Sequence, residues 1–515
     1  MLKPKERRYI IPQLILFLFV LIYFTEVTPL VPFDADDWLF SGAMRLPFPI
    51  WHSFNPTRVT PEILQPLAGY LGAFCIYPFT KNYVGALSFA HSFVLTTCIT
   101  ITFYLFFKLL IRRLGYSFKR AIVTEAFFFM SFFMLFVKLH QPSYTGFWTP
   151  NITYAYFYII SGLLNASLVF IMMQSSDFLR AFKKYSTTQK SLFLLALYFA
   201  LFSNTQFNII VATFSFCALV KFVKDLDSFK ISKLTGGWLY FLILTVWLLS
   251  VFFDLHGQRA HDVSDMMRGS FIDNLYSTLG QFIRLLKLMN KEALILFTFI
   301  ILAFLLTAFL RKIKQSNTNG IIELNLLSYS ITCCLLTWLY LILAYSKGGS
   351  GYAGSVPAMW SVQFFYLFTV SISLGYFIQN FKVLRCAMPL LLTLFFVISF
   401  NLNWQKISVG VDNHAPQTQR AIDNYIINQI VRADRNGKSS VIVKVPLNDK
   451  NASSKVSSSN WPQSFQAAKY FQNTLYTHHI IRSRIKIRFK PDEKINTRFY
   501  ENRSNEQPFT PLERD

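Results

Sequence analysis

The sequence predicts an all-α polytopic membrane protein of about eleven transmembrane helices, with a small C-terminal α/β module outside the membrane. Three observations predict it. Hydrophobic residues make up 53% of the 515 and charged residues only 15%, where a soluble protein carries about 25% charged residues. Apolar runs of bilayer length recur as far as residue 402 and then stop. Between them, basic clusters fall in alternate loops. With 56 Phe, 25 Tyr and 9 Trp, the apolar content exceeds what a soluble core of this length can bury, and disorder, collagen and coiled coil are excluded.

The first run, residues 10–30, follows a basic N-terminus and reads as an anchor, because Val31-Pro32-Phe33 offers no small-residue cleavage site. Further runs lie near 83–111, 121–139, 152–173, 190–202, 205–222, 236–253, 291–310, 321–345, 358–379 and 386–402. The pair flanking Ser203–Asn208 predicts either a hairpin of short helices or one broken helix. Residues 63–79, with Pro66 and Pro78, predict a re-entrant or interfacial segment. Short loops holding Arg112 and Arg113, Lys183 and Lys184, Lys230 and Lys233, Arg311 and Lys312, and Lys382 and Arg385 share the N-terminal side. By the positive-inside rule that side is cytoplasmic. The long loops and the tail then lie on the opposite, outer side.

From residue 403 the chain turns polar and basic. Ile422, Ile426, Ile430 and Ala433 recur at helical spacing, with Gly437 as a stop. Residues 439–446 and 484–489 alternate like half-buried strands. The expected division is thus a transmembrane domain over 1–402, with a first outer loop at 31–82, and an outer module over 403–515. The six cysteines lie in apolar stretches without metal or disulfide spacing.

The net charge of +24 divides between the cytoplasmic loops and the tail, so no nucleic-acid partner is expected. The acids are more informative. Asp34, Asp36 and Asp37 crowd into four residues just after the first span, beside Trp38. Carboxylates this close raise one another's proton affinity, which suits a general base. The competing reading is a helix cap with Trp38 in an aromatic belt. Downstream, Thr60-Pro61-Glu62 reads as a helix start, with Thr60 as cap and Glu62 in the first turn, where the helix dipole already favours it. Arg58 offers a lipid phosphate a bidentate partner. Arg259 and Arg268 fall on the same side, and Lys347 opens a Gly-rich loop without P-loop context. No metal site is expected.

An N-in first span, an acidic motif directly after it, many further spans and an extracytoplasmic tail together resemble the GT-C class of membrane glycosyltransferases. Asp36-Asp37-Trp38, the Arg58…Pro61-Glu62 segment and Asn460-Trp461-Pro462 more narrowly resemble the phage-type serotype-converting glucosyltransferases that modify bacterial O-antigen. The resemblance implies an undecaprenyl-phosphate-linked sugar as donor and a polysaccharide or lipid-linked glycan as acceptor. It implies no separate cofactor, and it puts the protein among the lipids of a bacterial inner membrane, with the loop 31–82 and the module 403–515 periplasmic. It also implies that a first-loop acid, Asp36 or Asp37 with Asp34 as a third candidate, serves as base, supported by Glu62. Trp38, Arg58, Arg259, Arg268, Lys347 and Trp461 are the candidate substrate contacts. An O-antigen polymerase or a lipid-linked oligosaccharide flippase is the alternative. Sparse intramembrane charge and the absence of an internal repeat weigh against the flippase.

Overall fold

The computed structural model describes residues 9–33, 35–135, 149, 151–224, 235–266, 270–313, 319–403, 416–446, 465–492 and 494–499. Among them, eight helices are long and apolar enough to cross a membrane. These are α1 (Ile10–Val27), α4 (Tyr83–Arg112), α6 (Ile152–Met173), α9 (Thr205–Lys224), α10 (Trp238–Leu255), α13 (Lys291–Ile313), α14 (Asn319–Gly348) and α15 (Trp360–Asn380). The three remaining expected spans are helical too: α5 (Phe118–Met134), α8 (Thr187–Leu201) and α16 (Lys382–Asn403). With 15 residues, α8 rises only about 22 Å, short of a hydrocarbon core of about 30 Å.

Contacts between helix ends show how the chain folds back. The Phe182 ring lies 5.4 Å from Phe193 in the second turn of α8 and 6.2 Å from Trp238 at the start of α10. At the far ends, Thr205 at the start of α9 donates to Asp254 near the end of α10 (2.7 Å). Helices α8 and α9 therefore form a hairpin rather than one broken helix. Its turn is held by buried amides. Asn165 Nδ2 donates to Ala200 O (3.1 Å), Asn204 Nδ2 to Phe157 O (3.1 Å), and Asn208 Nδ2 to Leu201 O (2.7 Å). Ala200 O and Leu201 O are carbonyls that the end of α8 leaves open, and Phe157 O lies in the π-helical turn Ala155–Ile160 inside α6.

One end of the bundle carries most of the remaining structure. Helix α2 (Ala35–Gly42) leaves α1, and α3 (Pro61–Tyr70) runs on through a π-helical turn at Leu71–Ile76 to Thr80. Segment 63–79, expected to be re-entrant or interfacial, packs along α4: a Cβ on Gly72 would meet Ala86 O at 3.0 Å. Thr60 also departs from expectation. It holds helical angles, and its hydroxyl donates to Phe199 O rather than capping α3, while Pro61 keeps the first helical position. Helices α7 (Phe178–Lys183), α11 (Gln258–Met266) and α12 (Phe271–Leu288) are short or amphipathic connections.

The C-terminal part contains α17 (Pro416–Arg435), β1 (Ser440–Val445), α18 (Phe465–Thr477), β2 (Lys486–Pro491) and α19 (Lys494–Phe499). Strands β1 and β2 pair in parallel, with Val443 opposite Phe489. Ile422, Ile426, Ile430 and Ala433 are buried, as their spacing predicts. Gly437 ends α17 at φ +68°, a left-handed angle that suits glycine.

This part shares one core with the first loop. Val31, Phe33, Ala35 and Trp38 cluster with Ile426, Val443, Phe471 and Leu475. Trp38 is 0% exposed, with its ring 4.4 Å from Phe471. This candidate substrate contact is thus placed inside the core. The helices approach closely at Gly42, where a Cβ would lie 2.8 Å from Thr474 Cα. His478 completes the seam: its Nδ1 accepts from Tyr83 Oη (2.6 Å), and its Nε2 donates to Ser41 O (3.0 Å). Those partners select the neutral Nε2–H tautomer. Burial lowers the His478 pKa to about 4, partly opposed by the Ser41 carbonyl.

Two outcomes follow from the seam. Replacing Gly42 by Val should force α2 and α18 apart at a cost of about 1–3 kcal/mol, read as a lower melting temperature and earlier proteolysis between 403 and 515. Unchanged protection would refute the close approach. For His478, the folded pKa lies below the unfolded value of about 6.5. Its stabilising contribution is therefore full above pH 6.5 and declines as the pH falls toward about 4. The loss is on the order of 3 kcal/mol, and a melting-temperature series across that window in wild type and His478→Gln should show the slope only in wild type.

Candidate anion-binding site

Helix α2 sets the site's first side. Asp36 and Asp37 occupy its first turn, where the helix dipole favours carboxylates. Successive helical residues are rotated by about 100°, so these neighbours face different ways. Asp37 turns inward and is 0% exposed. Its Oδ2 accepts from Phe33 N (2.6 Å) and Asn151 Nδ2 (3.3 Å), and its Oδ1 from Thr153 N (2.6 Å). Asp36 is exposed. It shares a helix stripe with Phe40, four residues on, opposite the stripe of Trp38.

Phe40 carries that stripe to the second side. Its ring lies 4.8 Å from Phe157 on α6. The Arg58 guanidinium stands 5.4 Å from the centroid of the same Phe157 ring, a cation–π arrangement. Phe157 thus touches both the acid-bearing helix, through Phe40, and Arg58.

Two buried clamps hold Arg58 in place. In the first, Glu62 accepts from Arg45 Nη1 (2.9 Å) and from Asn55 Nδ2 (2.9 Å). Arg45 also donates to Asn55 O (2.7 Å), Pro56 O (3.2 Å) and Phe48 O (3.3 Å). Burial raises the Glu62 carboxyl above its ordinary range, against the pull of Arg45, Asn55 and Arg58. In the second, Asp254 accepts from Thr57 Oγ1 (2.6 Å) at one oxygen and from Thr205 Oγ1 (2.7 Å) at the other. The loop carrying Arg58 is thereby tied to α3, α9 and α10.

Arg58 itself is placed differently from the acids around it. Burial, and next the charge of nearby Arg259, pull its guanidinium below its usual range. Arg259 lies over the rings of Tyr352 (5.2 Å) and Phe54 (5.9 Å). Among the described residues neither arginine forms an ion pair. Two guanidiniums close to each other, resting on aromatic faces, form a fork that fits a phosphate or carboxylate. Among the described residues no three His, Cys, Asp or Glu side chains gather closely enough to hold a metal ion.

Comparisons with protein-family models, curated proteins and solved structures find no match.

Of the residues singled out from sequence, the structure brings Asp36, Asp37, Glu62, Arg58 and Arg259 to one region. Lys347 is exposed in the last turn of α14. Asp34, Arg268 and Trp461 lie outside the described residues. Sequence reasoning passed over Arg45, Thr57, Asp254 and Phe157. Arg45 carries one usable signal, a lone charge between Met44 and Leu46 in an otherwise apolar stretch.

Replacing Arg45 by Met leaves the Glu62 carboxylate without its cation. The expected loss is about 3 kcal/mol of stability, measured as a fall in melting temperature in detergent. Glu62→Gln should recover much of it when combined with Arg45→Met, and a double mutant as unstable as Arg45→Met alone would refute the clamp.

Proposed function

We propose that this chain is a membrane glycosyltransferase that moves a sugar from a polyprenyl phosphate to a glycan acceptor. The observation that carries the reading is that Phe157 meets both Phe40, on the helix that bears exposed Asp36, and Arg58, which with nearby Arg259 forms no ion pair among the described residues. A carboxylate able to take a proton and a cationic fork able to hold a phosphate are the two groups this reaction needs. Undecaprenyl phosphate is the carrier we favour, with glucose as the sugar and a lipid-linked O-antigen or related glycan as the acceptor. The loop-rich end then faces the periplasm of a bacterial inner membrane.

In this mechanism Asp36 takes the proton of the acceptor hydroxyl as its oxygen bonds to the anomeric carbon. The bond from that carbon to the phosphate oxygen breaks, and its electron pair leaves on the polyprenyl phosphate. Arg58 and Arg259 stabilise the charge that develops there, which favours the transition state over the bound donor. Asp37, with both oxygens engaged, acts as a positioning residue that sets where Asp36 points.

Reconstituted protein supplied with a polyprenyl-phosphate sugar and an acceptor glycan tests the reading. Asp36→Asn should lower transfer by about 10²–10⁴-fold while leaving the melting temperature unchanged. Asp37→Asn should lower the melting temperature as well. Full transfer by Asp36→Asn would remove its role as base. A lipid-linked glycan that crosses the bilayer without gaining mass would make the protein a transporter.

A further inference from the structure

We propose that residues 43–56 lie inside the apolar part of the bilayer leaflet at the loop-rich end, with lipid acyl chains as their partner. Three independent features of this non-helical stretch carry the inference, and none depends on the transfer reaction.

The first is what it exposes. Met44, Leu46, Phe48, Ile50, Trp51 and Phe54 are all exposed, Leu46 at 68% and Phe48 at 64%. Alternate residues from 44 to 50 face outward, and Arg45, between two of them, turns inward to Glu62. Arg45 is the only residue from 43 to 56 with a full charge. Six large apolar side chains on one short stretch form a patch that water does not favour.

The second is the depth at which it sits. Tyr198 Oη donates to Pro47 O (2.6 Å), and Tyr198 belongs to the last turn of α8. Trp51 stacks on Phe252, with centroids 5.5 Å apart, and Phe252 belongs to the last turn of α10. Pro47 and Trp51 thus meet the last turns of these helices, beside the bundle's apolar surface, while His52 and Ser53 reach His256 and Gln258 just past the end of α10. Leu195 on α8 and Leu248 and Phe252 on α10 are exposed there too, so the apolar surface is continuous.

The third is the backbone. Irregular chain survives in hydrocarbon only when its polar groups are satisfied internally. Here Pro47, Pro49 and Pro56 carry no N–H to satisfy. The carbonyls of Pro47, Phe48, Asn55 and Pro56 accept from Tyr198 or Arg45. Ile50 N donates to Pro56 O (3.1 Å), and Ser53 N to Ile50 O (3.3 Å). These bonds close part of the stretch's backbone internally. At its end Phe54 lies under Arg259, so a phosphate carried by a lipid in this leaflet meets the arginine fork without crossing water.

Spin labels give the test. The full chain, with Cys75 and Cys386 replaced by Ser, is labelled at Leu46→Cys or Phe48→Cys and reconstituted in phosphatidylethanolamine–phosphatidylglycerol liposomes. Leu248→Cys serves as a lipid-facing reference and Lys438→Cys as a water-facing one. Collisions with oxygen relative to those with a water-soluble nickel complex should be several-fold higher at 46 and 48 than at 438, and close to the ratio at 248. A nickel accessibility at 46 and 48 equal to that at 438 would overturn the proposal. Labels immobilised and shielded from both reagents would also overturn it, because they would place a protein, either a second copy or another chain, on this surface.

Discussion

A carboxylate with no exposure to water tolerates its surroundings only if they satisfy its oxygens. Asp37 meets that condition by drawing hydrogens from two distant parts of the chain. One is Phe33 N, just after α1, and the other is Thr153 N at the start of α6. The loop-rich end is organised around this bond set. With Asp37 fixed, the helical turn of α2 aims Trp38 at Phe471 and Phe40 at Phe157, and it leaves Asp36 outward. The same short helix therefore docks the C-terminal part through one stripe and presents a carboxylate through another. Small residues make the docking side close enough, as Gly42 does against Thr474.

Charge at this end is distributed unevenly. Glu62 and Asp254 are occupied, one by a buried arginine and an amide, the other by two hydroxyls. Arg58 and Arg259 sit beside each other on aromatic rings instead. Bringing like charges together under partial burial is unfavourable unless an anion offsets it. That imbalance is the physical basis of the proposed phosphate contact, and hydrogen bonding to Arg45 keeps the supporting loop rigid enough for the fork to hold its shape.

Much of the helical framework was legible because apolar period and length report directly on burial in lipid. All eleven expected segments are helical, and eight of them meet the length and hydropathy of a span. Ile422, Ile426, Ile430 and Gly437 behave as their pattern required, since helix periodicity and a left-handed glycine are local properties. Sidedness between neighbours was not legible. Asp36 and Asp37 are equivalent in composition and opposite in placement. Thr60 had the local chemistry of a cap, yet its hydroxyl found a carbonyl on α8 instead.

What the sequence by itself determined is the class of solvent each segment meets: a membrane-embedded helical bundle, acids gathered after the first span, and a polar C-terminal part with alternating strands. Only the tertiary structure decided partners. It buried Trp38 against Phe471, gave Glu62 to Arg45 across 17 residues and Asp254 to Thr57 across 197. It also packed 63–79 along α4 and left the large apolar side chains of 43–56 exposed beside α8 and α10. The reason is physical. Hydropathy and periodicity are sums over neighbours in sequence, whereas a buried polar atom takes whichever partner the packing of distant helices brings within hydrogen-bonding reach.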